Sequence, residues 1–440
     1  MNIGIIVDHP NRDLPGITLL SQSLIRSNKK TKVILIPMYK ISWVLNYFPN
    51  KFDIIIFNFA REANQKYIIR AHNYGIKTII YDQEGVGGRK GLGLLNILSK
   101  SKNILPFIDL YCFWGKNQLL NFEKSIEKKY HPKKKMVSGW LNSDYLFRLR
   151  KNFKNKKKFI LINSNFSGCD PKFNSLSNEI KSRLKTFDIS KEELLNRIYC
   201  QNKRKKKFLH TVKILIKTFP KKSFLLRPHP YENEKKYTIL QKKYKNCKVS
   251  NKHSINQVLL NAEMLLHVDC TSAISSSFLN IPVLSMDWII QNKESEVFNE
   301  IANNAGIKAK NIFELKDIIS SLIKNLKETN FKNNELVKYY GKFDGKRCES
   351  LVNKIYKEFN FTKKKLFINN FTFKDNIKFF IFELLGQSKY SSLRKFFMEK
   401  EFYSKQKKDK NFNTNDVKNY LTNKNLKTYK INFDCIVLKV

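Results

Sequence analysis

Acidic residues are scarce in this chain: 37 Asp and Glu stand against 83 Lys and Arg, a formal charge of +46 over 440 residues. Such a balance invites polyanionic partners. The lysines, however, form short runs scattered through helical segments, with no single basic arm interleaved with aromatics. With Asn, Ile and Phe also abundant, this reads as compositional bias and argues against a nucleic-acid partner. Attraction to acidic glycans or an anionic membrane surface is the better companion to some other function. The seven cysteines form no Cys-x-x-Cys pair and have no His-x-x-x-His partner, which argues against a zinc site and a disulfide framework. No run reaches the apolar length of a membrane span. No charged n-region with a small-residue cleavage site precedes the apolar stretch Asn2–Val7. The expectation is a cytoplasmic protein with reduced thiols, at most peripheral to the inner face of the membrane.

What is present is a globular composition, 42% hydrophobic and 13% aromatic, in a chain long enough for two or three domains. Residues 1–150 alternate short apolar strands (Ile3–Val7, Thr31–Pro37, Asp53–Phe59, Lys77–Tyr81, Ile108–Phe113) with helical patterns near 15–28, 61–74 and 116–129. After a basic connector at 151–158 the pattern restarts, with strands at Phe159–Asn163, Ser223–Leu226, Lys248–Ser250, Met264–Val268 and Pro282–Met286. Helical segments near 190–218, 231–245, 254–262 and 271–279 separate them. Near-continuous apolar strands alternating with helices predict parallel sheets covered on both faces. The fold class is therefore α/β, two doubly wound Rossmann-type lobes with an interlobe cleft and a mainly helical C-terminal extension. The first lobe is placed at 1–150 and the second at 151–345, with a closing helix at 346–360; the helical stretch 313–358 is expected to close the second lobe. Residues 361–440 form an accessory tail, with a helical segment near 375–402 and a final strand at 430–439. Within it, Ile377–Phe397 mixes Phe, Leu and Lys, as a membrane-surface helix or as a helix packed on the core.

Four loops at predicted strand ends carry residues suited to chemistry. In Arg227-Pro228-His229-Pro230 the prolines stiffen the turn and push Arg227 and His229 toward extended geometry, presenting a cation and an imidazole. In Tyr81-Asp82-Gln83-Glu84-Gly85-Val86-Gly87-Gly88, glycines allow a tight turn beside two carboxylates. Acidic groups there would repel a pyrophosphate; they suit acid/base work, or the capping of a turn. The loop Asn163-Ser164-Asn165-Phe166-Ser167-Gly168-Cys169-Asp170 permits close ligand approach, or ends as a helix N-cap. In His267-Val268-Asp269-Cys270-Thr271-Ser272, two hydroxyls fall at a helix start, as anion donors or as a plain cap. Ligands of open α/β sheets sit beyond the carboxyl ends of the strands, so the conjunction outweighs any one loop.

Leu226–Pro230, His267–Ser272 and Leu279-Asn280-Ile281-Pro282-Val283 resemble the donor lobe of bacterial surface-carbohydrate glycosyltransferases of GT-B fold. The nearest likeness is to the retaining β-Kdo transferases of capsule and O-antigen (lipopolysaccharide) assembly. Glu84-Gly85 resembles their first-lobe acidic motif, and Asn163–Asp170 their aspartate-bearing loop. The segment Ser138–Asp144 is weakly similar to a Gly-Asn-Pro-Arg-x-Asp element. The likeness covers residues 1–345. It implies a CMP-sugar donor, a glycan or glycolipid acceptor, no metal and no separate cofactor. It further implies Asp170 as nucleophile, Glu84 as acid/base, Arg227, His229 and Pro230 at the CMP moiety, and Thr271 and Ser272 at its phosphate, with Ser164 and Asn165 lining the donor site. Ser275 departs from a glutamate that many such lobes use to grip the ribose; one hydroxyl cannot accept a bidentate pair. Two alternatives stay open: an inverting CMP- or CDP-dependent transferase of sialic acid or glycerophosphate on the same fold, and a non-catalytic basic nucleic-acid binder.

Overall fold

The computed structural model describes residues 1–47, 49–85, 87–88, 92–152, 158–186, 189–290, 298–324, 334–359, 374, 377, 410–423, 425–431 and 435–440. Its strands are β1 (Asn2–Val7), β2 (Lys32–Pro37), β3 (Ile54–Phe57), β4 (Lys77–Tyr81), β5 (Leu110–Phe113), β6 (Lys135–Val137), β7 (Phe159–Asn163), β8 (Phe224–Arg227), β9 (Cys247–Val249), β10 (Ala262–His267), β11 (Val283–Ser285), β12 (Ile307–Lys308), β13 (Lys427–Lys430) and β14 (Ile436–Lys439). The helices between β1 and β7 are α1 (Pro10–Ser27), α2 (Ile41–Tyr47), α3 (Glu62–Asn73), α4 (Gly93–Lys100), α5 (Lys116–Ser125) and α6 (Asn142–Asn152). Then follow α7 (Leu176–Thr186), α8 (Lys191–Thr218), α9 (Lys235–Lys243), α10 (Ile255–Leu259), α11 (Ser272–Phe278), α12 (Glu300–Asn303), α13 (Ile312–Lys324), α14 (Asn334–Tyr340), α15 (Arg347–Glu358) and α16 (Thr414–Lys418).

These elements form a mixed α/β fold of two compact units, one gathering residues 1–86, 92–145 and 337–440, the other 87–91 and 146–336. The first sheet runs β13-β14-β2-β1-β3-β4-β5-β6 and the second β12-β11-β10-β7-β8-β9. All pairings are parallel except those made by β13 and β14. The apolar runs explain this: Ile54–Phe57 and the last four residues of β4 are buried, as strands covered on both faces must be. In each sheet the chain reverses its direction of travel beside the first strand, between β1 and β3 and between β7 and β10. Those reversals are the switch points where doubly wound sheets open a crevice at their carboxyl ends.

The C-terminal stretch departs from expectation. Residues 430–439 are not one strand of an appended tail. The amide of Ile431 donates to the carbonyl of Cys435, closing a β13–β14 hairpin, and β14 pairs antiparallel with β2. Without it, β2 would offer an unpaired apolar edge; with it, the sheet ends in the polar, lysine-bearing β13, which discourages further pairing. Cys435, Ile436, Val437 and Leu438 are buried.

A second correction concerns 313–358. α13 packs on α8 in the second unit, but α15 packs on α1 in the first. The Tyr356 hydroxyl meets Thr31 Oγ1 and the carbonyl of Leu24, both at 2.9 Å. The Asp144 carboxylate accepts from the amides of Arg347 and Cys348 at 3.0 and 2.8 Å. An acid at a helix N-terminus satisfies orphan amides and favours the dipole. That gives the Ser138–Asp144 segment a structural task.

Most of the segment 375–402, including the Ile377–Phe397 stretch, lies outside the described residues. No helix among the described residues is long and apolar enough to cross a membrane. Because Leu438 is fully buried, Leu438→Ala is expected to cost about 2–5 kcal/mol in chemical denaturation. An unchanged midpoint would show that β14 does not support the first sheet.

Candidate functional site

In the first unit, the loops after β1, β3 and β4 meet at the switch point. Pro10 opens α1 at a position where its missing N–H costs nothing, and Asp13 caps the turn before it. Asp13 Oδ2 accepts from the amides of Asp8 and His9 at 3.0 and 2.7 Å, while its Oδ1 takes Arg12 Nε at 2.6 Å. Arg12 reaches on to Glu84 Oε1 at 3.1 Å, and Arg61 Nη2 lies 2.5 Å from Glu84 Oε2. Burial pushes the Glu84 carboxyl up, but the guanidiniums of Arg61 and Arg12 outweigh it and hold the group below the ordinary glutamate range.

Of the two acids of this loop, Asp82 takes the turn-capping task. Asp82 is buried and its Oδ1 accepts from the amides of Glu84 and Gly85 at 2.9 and 2.8 Å, which makes the turn. Its burial raises its pKa. Gly85 sits at φ +48°, and a Cβ there would lie 2.3 Å from the Trp114 ring, so glycine is required. Glu84 is left on the exposed side. The tail reaches the same place: Lys410 Nζ lies 2.7 Å from Asp8 Oδ1. Burial raises the Asp8 pKa, and Lys410 and Arg12 bring it below the ordinary value.

In the second unit, β10, β7 and β8 are neighbours, with Asn163 in register with both Arg227 and His267. The structure therefore brings together the three second-lobe loops singled out by sequence. Asn163 Nδ2 donates to Ser272 Oγ at 2.7 Å across the switch point, and Ser272 Oγ also lies 3.0 Å from Cys270 Sγ. Thr271 is exposed and Ser272 buried. Asn165 Nδ2 donates to the Asp269 carbonyl at 2.8 Å. Asp269 itself adopts φ +58°, fixed by Asn303 Oδ1 on its amide at 3.1 Å and by the Asn299 amide on its carboxylate. His267 is fully buried, which lowers its pKa to about 4; its neutral Nδ1 accepts from the Cys270 amide at 3.3 Å. Ser275 is buried within α11.

Arg227 ends β8 half-buried, and its Nη1 is buried without a hydrogen-bond partner among the described residues. Burial lowers its pKa, with partial compensation from Cys270. A guanidinium so placed has a donor directed away from solvent and can take an anionic acceptor. His229 Nδ1 accepts from the Tyr231 amide at 3.2 Å, which folds the stiff loop back, and Pro230 is exposed at its tip.

Asp170 is held by two lysines, Lys205 at 2.9 Å and Lys236 at 3.3 Å. Lys205 is shared with Glu232, 2.7 Å away, and both side chains are buried. Glu232 also accepts from Ser164 Oγ at 2.6 Å, from the Phe166 amide at 3.2 Å and from the Tyr237 hydroxyl. The backbones agree, with Lys172 N on Tyr231 O at 2.9 Å and Asn233 N on Asp170 O at 3.0 Å. One carboxylate thus joins the β7 loop, α8, the loop after β8 and α9.

Sequence reasoning missed Glu232, Lys205, Arg12 and Arg61. One signal existed: Lys205 falls on the buried stripe of α8 with Phe208, Val212 and Leu215, and a lysine on an apolar stripe needs a buried counter-ion. Glu84 belongs to the first unit with Arg12 and Arg61; Asp170, Arg227, His229, Thr271 and Ser272 belong to the second with Lys205 and Glu232.

No protein-family model and no curated protein matches the chain. Solved structures do. The UDP-GlcNAc 2-epimerase of Neisseria meningitidis, solved with UDP-GlcNAc, is similar at 12% identity and TM-score 0.52, over 81% of this chain and all of that one. That of Methanocaldococcus jannaschii, solved with UDP-GlcNAc and UDP, gives 13% identity and TM-score 0.50 over 81% of this chain and all of that one. Staphylococcus aureus MnaA with UDP gives 14% and 0.50, over 83% and 98% of the two chains. These likenesses show the fold: two Rossmann-like lobes of GT-B type. Lys205→Met, leaving Glu232 buried without its cation, is expected to cost about 3–5 kcal/mol in denaturant unfolding. Adding Glu232→Gln should recover part of that loss; no recovery would count against direct pairing.

Proposed function

We propose that the protein is a nucleotide-sugar-dependent glycosyltransferase that moves an acidic sugar, Kdo from CMP-Kdo, onto a surface glycan or glycolipid with retention of configuration. The observation that carries this reading is Arg227, a cation whose buried Nη1 has no hydrogen-bond partner among the described residues, at strand ends that also hold the Asp170 carboxylate. A nucleotide phosphate supplies the missing anion. Asp170, kept beside Lys205 and Lys236, attacks the anomeric carbon and CMP leaves as an anion, so the first step needs no acid. In the second step Glu84 takes the proton of the acceptor hydroxyl, whose oxygen displaces Asp170 from the sugar. A base must be ionised to act, and the pairing of Glu84 with Arg61 and Arg12 supports that state. Two inversions give net retention.

A second reading is favoured by one finding. The similar folds with TM-scores of 0.50 and above include 2-epimerases solved with UDP-GlcNAc. On that reading the donor is a UDP-sugar and no acceptor is needed.

A thermal-shift series with CMP, CDP, UDP and GDP separates the two. Stabilisation by CMP above the others supports the transferase, and stabilisation by UDP alone supports epimerisation. Asp170→Asn is expected to abolish transfer while nucleotide binding survives; full transfer in that variant sinks the nucleophile assignment, and an inverted product anomer replaces double displacement by a single one. Because Arg61 helps hold Glu84 below its ordinary range, Arg61→Gln should move the acid limb of the transfer pH profile upward by about one unit. An unmoved limb would remove Glu84 from the base role.

A further inference from the structure

The second sheet is covered unequally. On one face Ile160, Ile162, Phe224 and Leu226 pack with Phe208 and Val212 of α8 and Tyr237 of α9. On the other, α10 and α11 lie against β10, and α11 also against β11. Over β8 and β9 that second face is open among the described residues, with Leu225 half-buried and its register partner Lys248 exposed. The result is a half-open groove of about 1090 Å³.

Its lining is of one sign. Lys158, Arg227, Lys245, Lys248 and Lys252 border it with His253, and among the described residues no aspartate or glutamate does. None of these five cations makes an ion pair among the described residues. Elsewhere lysines of this unit do find acids, as Lys222 finds Glu263 at 2.8 Å, so the groove is not simply an average sample of a basic surface. A concave surface with low-dielectric walls and unpaired charges of one sign concentrates the opposite charge. Its floor is apolar, formed by Phe159, Leu225 and Val258.

The floor chooses between polyanions. Single-stranded nucleic acid is held by successive aromatic platforms, and among the described residues only Phe159 offers a half-exposed ring on the floor. The apolar C–H faces of sugar rings need no such series.

We infer that this groove binds an anionic oligosaccharide, a chain bearing repeated carboxylates or phosphates, with its anions on the lysines and its rings on the apolar floor. The inference concerns binding alone and does not depend on the reaction proposed above. The test uses the full chain at moderate salt, because exposed charge pairs are screened. Four length-matched probes are titrated: oligogalacturonate for carboxylates, poly(glycerol phosphate) for phosphates, a neutral malto-oligosaccharide, and oligouridylate.

The expected result is binding of one or both charged saccharides and none of the neutral one. Lys248→Glu with Lys252→Glu, both at exposed positions, should weaken it by at least about tenfold. A charge-matched control at exposed sites of the first unit, Lys29→Glu with Lys30→Glu, should leave it within about twofold. Which charged probe binds names the anion. The inference is overturned by no binding of either charged saccharide, by equal loss in the control pair, or by oligouridylate binding as tightly and with the same loss. Nucleotide binding is measured on the same variants; its absence in the wild type defeats the transferase reading and leaves the groove standing.

Discussion

The arrangement of the second lobe depends on one buried carboxylate. Glu232 has no access to solvent, so its charge must be met from within, and four donors from three elements meet it. Removing a charge from water costs several kcal/mol, and only full satisfaction makes up for it. The consequence is directional. Each donor has one acceptable position, so the loop after β7, the middle of α8 and the loop after β8 are set relative to a single point. Asp170 inherits its place from this constraint through the shared Lys205.

The first lobe solves a similar problem with alternating charge. Asp13, Arg12, Glu84 and Arg61 form a chain in which each group partly neutralises the next, and Asp82 holds the turn beneath it. The first assembly stands where the direction of travel through its sheet reverses; in the second sheet the Asn163–Ser272 contact marks that point. Neighbouring loops diverge there and leave room that side chains fill with polar groups. A strained residue, Asp269 at φ +58°, is kept in place by several hydrogen bonds in the same region.

The strands were legible because parallel sheets need continuous apolar runs, and Ile54–Phe57 or Phe159–Asn163 allow little else. The strands that escaped were β6, β12 and β13, three, two and four residues long, at sheet edges where burial is partial or slight and no apolar run develops. Local patterns also exposed Arg227, Asp170 and Ser272, since prolines, glycines and hydroxyls at strand ends are visible in a short window. Partners were hidden. Lys205 and Glu232 are separated by 27 residues, and Arg12 and Glu84 by 72, so only the folded chain pairs them. The tail misled for a related reason: β14 finds its place against β2, about four hundred residues earlier, and nothing near residue 436 announces that partner.

That pairing also sets an order of events. The second unit is nearly contiguous, and its sheet can close once residue 308 has left the ribosome. The first unit is the opposite: β1 to β6 precede the second unit, yet β2 keeps an open edge until residues 436–439 arrive. Closing so long a loop adds little free energy, because the cost grows only as the logarithm of its length. It adds delay instead, since a nascent apolar edge persists through synthesis of nearly the whole chain. The part of the protein translated first is therefore the part completed last.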